Sequence, residues 1–167
     1  MTEDAGDPGE TLAAQVITML RAAGQTVAAA ESLTGGLVAA ALTSVPGASL
    51  AVRGGVVSYA TDLKASLLGV PRAMLDEHGP VFPGVASAMA NGVRQRLGAT
   101  FGVATTGVAG PDPAEGQPVG TVHIAVSAQD DTVVRTLALD GDRDLIRSLT
   151  VERSLALLLG RLREDIR

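Results

Sequence analysis

Ser32, Lys64 and Tyr59 are the residues of this chain whose types and settings suit covalent chemistry. Ser32 lies in the run Ala30-Glu31-Ser32-Leu33-Thr34-Gly35-Gly36. The preceding segment, Thr26–Ala30, reads as an apolar strand, and the following one, Leu37–Thr43, as a small-residue helix. A hydroxyl at such a junction is held rigidly yet stays open to a substrate. The backbone N–H groups at the helix start can hold an oxyanion or a phosphate. A serine hydroxyl is a weak nucleophile without a base. The chain has no cysteine, and its two histidines stand apart, so a base other than histidine is worth seeking. Ser58-Tyr59-Ala60-Thr61-Asp62-Leu63-Lys64 puts a phenol at a strand end and an amine near the start of a helix. The positive end of a helix dipole disfavours an ammonium, and burial disfavours it further. A lysine whose pKa falls from about 10.4 to roughly 7–8 serves as a general base. Plainer readings exist for both residues: Ser32 as a helix N-cap and Lys64 as a solvated surface lysine.

Two further clusters offer binding groups. Thr105-Thr106-Gly107-Val108-Ala109-Gly110-Pro111-Asp112 reads as a strand end entering a glycine loop. Such a loop presents N–H groups to an anion, or is simply a structural turn. It matches neither GxxxxGK[ST] nor GxGxxG. Asp140-Gly141-Asp142-Arg143 offers a guanidinium for a phosphate or carboxylate. It also reads as a helix cap at Asp142 followed by a solvated arginine, with Arg147 one turn on. Gly35-Gly36 costs helix propensity but lets another molecule approach the backbone. His78 and His123 fit no metal spacing such as HExxH. His123 sits within a strand as a packed or surface residue.

The elements that must position these groups follow from periodicity and punctuation. Thr11 caps a first helix with Leu12, Val16, Ile17 and Leu20 on one face, ended by Gly24. Arg53–Tyr59 is a strand, and Asp62 caps a helix to about Leu68. Pro71–His78 is a short helix. Val85, Met89, Val93 and Leu97 recur every four residues, so Pro83–Leu97 is a helix. Phe101–Thr105 is a strand and Gly107–Pro118 a long loop. Val119–Ser127 and Thr132–Leu139 form a hairpin about Gln129-Asp130-Asp131. Asp142 caps a last helix carrying Leu145, Ile146, Leu149, Leu155, Leu158 and Leu159. Helices between strands imply parallel neighbours, whereas the hairpin is antiparallel. The expected fold is α/β, a mixed sheet with helices on both faces. Ligands of such sheets sit where strands end and loops lead to helices.

Composition narrows the function classes. The 167 residues suit one domain, residues 10–167, after a flexible tail at 1–9. Aromatic residues are 2% of the chain against 46% hydrophobic, so the core must be built from Ala, Val and Leu. The net charge of −5 argues against nucleic acid and anionic membrane as partners. Without cysteine there is no disulfide framework or thiolate metal site. No apolar run reaches the roughly 18 residues of a membrane span, and the acidic start lacks a signal-peptide pattern. A cytoplasmic protein is expected.

Taken together, AESLTGG at 30–36, GGVVSYATDLKASLLGV at 54–70, TTGVAGPD at 105–112, PVGTV at 118–122 and GDR at 141–143 resemble the C-terminal domain family of the competence/damage-inducible protein CinA. The resemblance covers about residues 11–163. It implies a three-layer α/β/α fold around a mixed, mostly parallel five-stranded sheet. It also implies hydrolysis of the carboxamide of nicotinamide mononucleotide (NMN) to nicotinic acid mononucleotide and ammonia, with no metal or organic cofactor. In that family Ser32 matches the nucleophile, Lys64 the base and Tyr59 their third polar partner. Thr34, Gly35, Gly36, Thr106, Gly107 and Arg143 match substrate-binding positions. A homo-oligomer and a role in pyridine-nucleotide salvage are also implied. The chain departs from the family at Phe82, where a serine is frequent, and at Pro113-Ala114, where glycines are. Full-length members carry a separate N-terminal nucleotide-processing domain, whose activity is not carried over. Two alternatives stay open: a non-catalytic nucleotide-binding or protein-interaction module, and an amidase for a related pyridine carboxamide.

Overall fold

The computed structural model describes residues 10–165; the expected tail at 1–9 lies outside them. The elements are α1 (Leu12–Ala23), β1 (Val27–Glu31), α2 (Leu37–Thr43), a 3-10 turn (Ala48–Leu50), β2 (Val52–Val57), α3 (Thr61–Leu68), α4 (Arg72–His78), α5 (Pro83–Arg96), β3 (Phe101–Gly107), β4 (Thr121–Ser127), β5 (Thr132–Ala138) and α6 (Arg143–Asp165). The sheet order is β2-β1-β3-β4-β5. β1 pairs in parallel with β2 and β3, while β4 is antiparallel to both β3 and β5. Only β4 therefore runs against the other strands, and the sheet is mixed and mostly parallel in direction.

Helices cover both faces. α1, α2 and α6 pack through Val16, Leu20, Val38, Leu42, Leu155 and Leu158 against Val27, Ala29, Phe101, Val103 and Val126. The opposite face presents Ala28, Ala30, Ala104 and Ala125 to α3, α4 and α5. Both faces of β1 are covered, so it is apolar at successive positions until Glu31, rather than alternating. The alanine face explains how a core with few aromatics closes. Small side chains let α5 approach the sheet, and a Cβ on Gly102 would stand 2.0 Å from the Ala90 carbonyl oxygen. A Cβ on Gly92 would meet the Leu68 carbonyl oxygen at 1.9 Å. Glycine at 92 therefore lets α3, the helix carrying Lys64, lie directly on α5.

Helix ends follow sequence chemistry in several places. The Thr11 hydroxyl accepts the Ala14 N–H, Gly24 closes α1 with φ 64°, and Asp142 accepts the Leu145 N–H at 2.9 Å. One expectation needs correction. The cap of α3 is Ala60, without a side-chain bond, and Asp62 lies inside the first turn. Leu145 on α6 is 48% exposed. The inward stripe of α6 runs instead through Ile146, Thr150, Ser154 and Leu158 at helical spacing, and the Thr150 and Ser154 hydroxyls each donate to the carbonyl four residues back. No helix among the described residues is long and apolar enough to cross a membrane.

Candidate active site

Because β1, β2, β3 and β5 point the same way, their C-terminal ends share one rim of the sheet. The segments that follow them deliver Ser32, Tyr59 and Arg143 to that rim, and Thr106 stands there near the end of β3. Ser32 is fixed by the strand ladder beyond its formal end: its N–H donates to the Thr105 carbonyl at 3.1 Å. Next door, the Ser58 N–H donates to the Glu31 carbonyl at 2.9 Å.

Lys64 stands at the fourth position of α3 and is 1% exposed. Its Nζ lies 3.0 Å from Ser32 Oγ, 2.6 Å from the Ser58 carbonyl oxygen and 3.4 Å from the Tyr59 carbonyl oxygen. Burial lowers its pKa from 10.5 to about 8, while the Glu115 carboxylate acts in the opposite direction. About one Lys64 in ten is then neutral at pH 7. A neutral amine has two hydrogens and one lone pair. Carbonyl oxygens accept hydrogens but cannot supply one. With both hydrogens on the carbonyls of Ser58 and Tyr59, the lone pair is left for the Ser32 hydroxyl. This arrangement suits proton abstraction.

A cavity of ≈ 200 Å³ opens on the pair. Its wall includes Ser32, Leu33, Tyr59, Lys64, Thr106, Gly107 and Arg143, so most of the site residues expected from sequence come together. The Thr106 hydroxyl donates to the Pro80 carbonyl at 2.7 Å, pinning the segment that brings Val81 to the wall. A Cβ on Gly107 would fall 2.7 Å from the Thr121 carbonyl oxygen, which explains the glycine through strand packing. Arg143 donates to the Gly110 carbonyl at 2.7 Å and to the Tyr59 hydroxyl at 3.3 Å. The Leu33 N–H has no acceptor among the described residues, and Leu33 lines the cavity. It is a candidate donor to an oxyanion.

Three other expected groups have partners outside the Ser32–Lys64 pair. The Tyr59 side chain is 61% exposed and its hydroxyl bonds Arg143, while its main-chain carbonyl faces Lys64. Thr34, Gly35 and Gly36 are not among the residues of the cavity wall. The buried Thr34 hydroxyl is 2.8 Å from that of Thr105, and Gly35 and Gly36 build the turn with φ of 59° and 106°. The helix N-terminus after them is not open to an anion either. Glu31, 1% exposed, accepts the N–H groups of Val38 at 2.8 Å and Ala39 at 3.0 Å. Arg147 faces the same turn from outside and donates to the Leu33 carbonyl at 3.0 Å.

Residues 9–162 match the family model of the CinA C-terminal domain. The chain belongs to the CinA C-terminal domain family. It is 53% identical over 153 residues to a CinA-like protein of Frankia casuarinae, covering 92% of this chain and 35% of that protein. It is 47% identical over 156 residues to a CinA-like protein of Gloeobacter violaceus, covering 92% and 37%. The chain thus spans about a third of the length of these curated relatives. Among solved structures, the competence/damage inducible protein CihA from Agrobacterium tumefaciens superposes with a TM-score of 0.85 at 40% identity, covering 89% of this chain and 92% of that one. A CinA superfamily protein from Klebsiella pneumoniae superposes with a TM-score of 0.88 at 29% identity, covering 92% and 96%.

Two residues of this CinA domain escaped sequence reasoning. Glu31 precedes the nucleophile candidate and caps α2 from seven residues away, outside any ordinary capping spacing. The available signal was the lack of a Ser, Thr, Asp or Asn just before Leu37. Glu115 reaches the cavity wall from the loop between β3 and β4. Its sequence setting, Pro113-Ala114-Glu115-Gly116, gave no sign of that direction. His123 is 5% exposed and bonds Thr136 through Nδ1 at 2.9 Å, with its pKa lowered by burial; it is a packed residue.

Proposed function

We propose that this protein is a nicotinamide-nucleotide amidohydrolase that converts NMN and water to nicotinic acid mononucleotide and ammonia. The observation carrying this reading is the 3.0 Å contact between Ser32 Oγ and the buried amine of Lys64. Neutral Lys64 takes the hydroxyl proton as Ser32 Oγ attacks the carboxamide carbon. The oxyanion that forms faces the Leu33 N–H. The proton then passes from Lys64 to the leaving nitrogen, which departs as ammonia. Water attacks the acyl-serine ester, again giving a proton to Lys64. The carboxylic acid leaves, and the proton returns to Ser32. Arg143 supplies positive charge for the phosphate, and Thr106 and Gly107 form the adjoining wall. No step requires a metal or cofactor.

The test is ammonia release from NMN by purified protein, beside nicotinamide and NAD. Ser32→Ala is expected to lower kcat/KM by about a thousandfold or more. Wild-type protein that is folded but releases no ammonia from NMN would refute the reading. An active Ser32→Ala variant would refute the mechanism alone.

The rate should also follow the state of the base. Lys64 acts only when neutral, so kcat/KM rises with pH and reaches half its plateau near pH 8, set by the lowered pKa of about 8. A profile flat from pH 6 to 9 at about equal protein stability would exclude Lys64 as base.

A further inference from the structure

The charged side chains on the cavity wall are Lys64, Asp112, Glu115 and Arg143. With Lys64 in its reactive neutral form, two carboxylates face one guanidinium. Such a cavity attracts a cation to Asp112 and Glu115, which are exposed at its mouth, although a mononucleotide also needs its phosphate held. Glu115 is the carboxylate whose field reaches the Lys64 amine. It has no hydrogen-bond or ion-pair partner among the described residues, unlike Arg143, which is tied to Gly110 and Tyr59. Its backbone is the sole non-glycine site with positive φ among the described residues, at 53°. Glu115 and Gly116, the latter with φ 70°, form the tip of a tight two-residue turn between Ala114 and Gln117, whose N–H and carbonyl groups bond each other.

Aromatic recognition of a cation has little to work with here. Tyr59 is the single aromatic residue of the wall, and Phe82 is stacked on His78 with ring centroids 3.9 Å apart. A carboxylate is the remaining group able to favour a positive ring.

We infer that Glu115 is a specificity-determining residue that selects substrates with a cationic, N1-substituted pyridinium ring over their uncharged counterparts. The inference rests on the amidohydrolase reading for the identity of the pocket, but concerns charge selection rather than turnover. A carboxamide poised at Ser32 brings its ring beside the dyad, within the field of Glu115. The ring charge and the Glu115 charge then offset one another at the exposed mouth of the cavity. Arg143, on the α6 side, is left for the phosphate. The substrate's own charge thus provides a recognition handle independent of ribose and phosphate.

The experiment measures equilibrium binding of NMN and of reduced NMN by calorimetry in the Ser32→Ala background, where turnover does not interfere. The two ligands share ribose, phosphate and carboxamide and differ in ring charge. Ser32→Ala protein is expected to bind NMN more tightly than reduced NMN. Adding Glu115→Gln should weaken NMN binding about fivefold and change reduced NMN binding by less than about twofold. The preference should shrink with added salt, and Asp112→Asn should alter it less than Glu115→Gln does. Equal loss for both ligands, an unchanged preference, a larger effect from Asp112→Asn, or no binding of either ligand would overturn the inference. Charge-selective binding alongside absent ammonia release from wild-type protein would sink the amidohydrolase reading and keep the inference. Ammonia release without charge selection would do the reverse.

Discussion

Exchanging Lys64 for methionine is expected to give a protein that melts at a higher temperature and releases no measurable ammonia from NMN. Methionine fills about the same length without a charge. In the folded chain the Lys64 pKa lies near 8, against 10.5 for an ordinary lysine. The unfolded chain binds more protons between those values, so this lysine's contribution to stability rises with pH across that window. Below pH 8 its cost is fully present, about 3 kcal/mol by proton linkage. Methionine recovers part of this, because the carbonyls of Ser58 and Tyr59 lose the hydrogens they accept. A net gain of about 1 kcal/mol at pH 7 is expected, or about 2–4 °C in Tm. Calorimetry at pH 7 and pH 10 checks it: the gain should narrow at the higher pH. A lower Tm at pH 7 would mean that the amine's hydrogen bonds outweigh its desolvation. The expected loss in kcat/KM is about a thousandfold or more, since no other titratable side chain among the described residues bonds Ser32 Oγ.

The second large effect is expected at Glu31. Glu31→Ala removes two charge-assisted hydrogen bonds and leaves the buried Val38 N–H and the Ala39 N–H without acceptors. A loss of about 3 kcal/mol follows, near 10 °C in Tm for a chain of this size. Glu31→Gln should fall between the two, because an amide has one acceptor oxygen and turns its NH₂ towards the second N–H. The damage should extend to chemistry. Glu31 fastens α2 to the end of β1, and the turn between them carries Ser32. Thermal melts and kcat at a temperature where both variants remain folded separate the two losses. If Glu31→Ala melts within 2 °C of wild type, as an order-of-magnitude threshold, the carboxylate is not the cap it looks to be.

How much of this was legible beforehand varied with the range of the interaction. Thr11, Gly24 and Asp142 act on backbone groups within a few residues, so their capping parts could be read from local spacing. The mixed sheet with helices on both faces needed only the alternation of helices with strands and a terminal hairpin. Ser32 and Lys64 were legible as types in suitable settings. Their 3.0 Å approach depends on β1 pairing β2 and on α3 lying against α5 at Gly92. The Tyr59 phenol points to Arg143, a direction that residue type does not give. Ser58 and Tyr59 serve Lys64 through their carbonyls, which any residue would supply. Glu31 and Glu115 were missed for a related reason: the place of each carboxylate is set by the path of a turn and a loop, with no periodic pattern to reveal it.

The shared rim of the sheet has a counterpart at the other end. There the Thr26 and Thr100 hydroxyls each accept the other residue's N–H at 3.1 Å. The turn at Ala128–Asp131 closes the hairpin, and the Gln25 amide reaches Asp165 at the end of α6. The molecule is therefore polarised, with Ser32, Lys64 and the cavity at one pole and these closures at the other. Sequence drift at the closing pole can change how firmly the chain holds together without entering the cavity. Drift at the reacting pole, in the loop bearing Asp112 and Glu115, can retune what the cavity accepts while the core stays as it is. A fold divided in this way can vary its ligand and its stability separately.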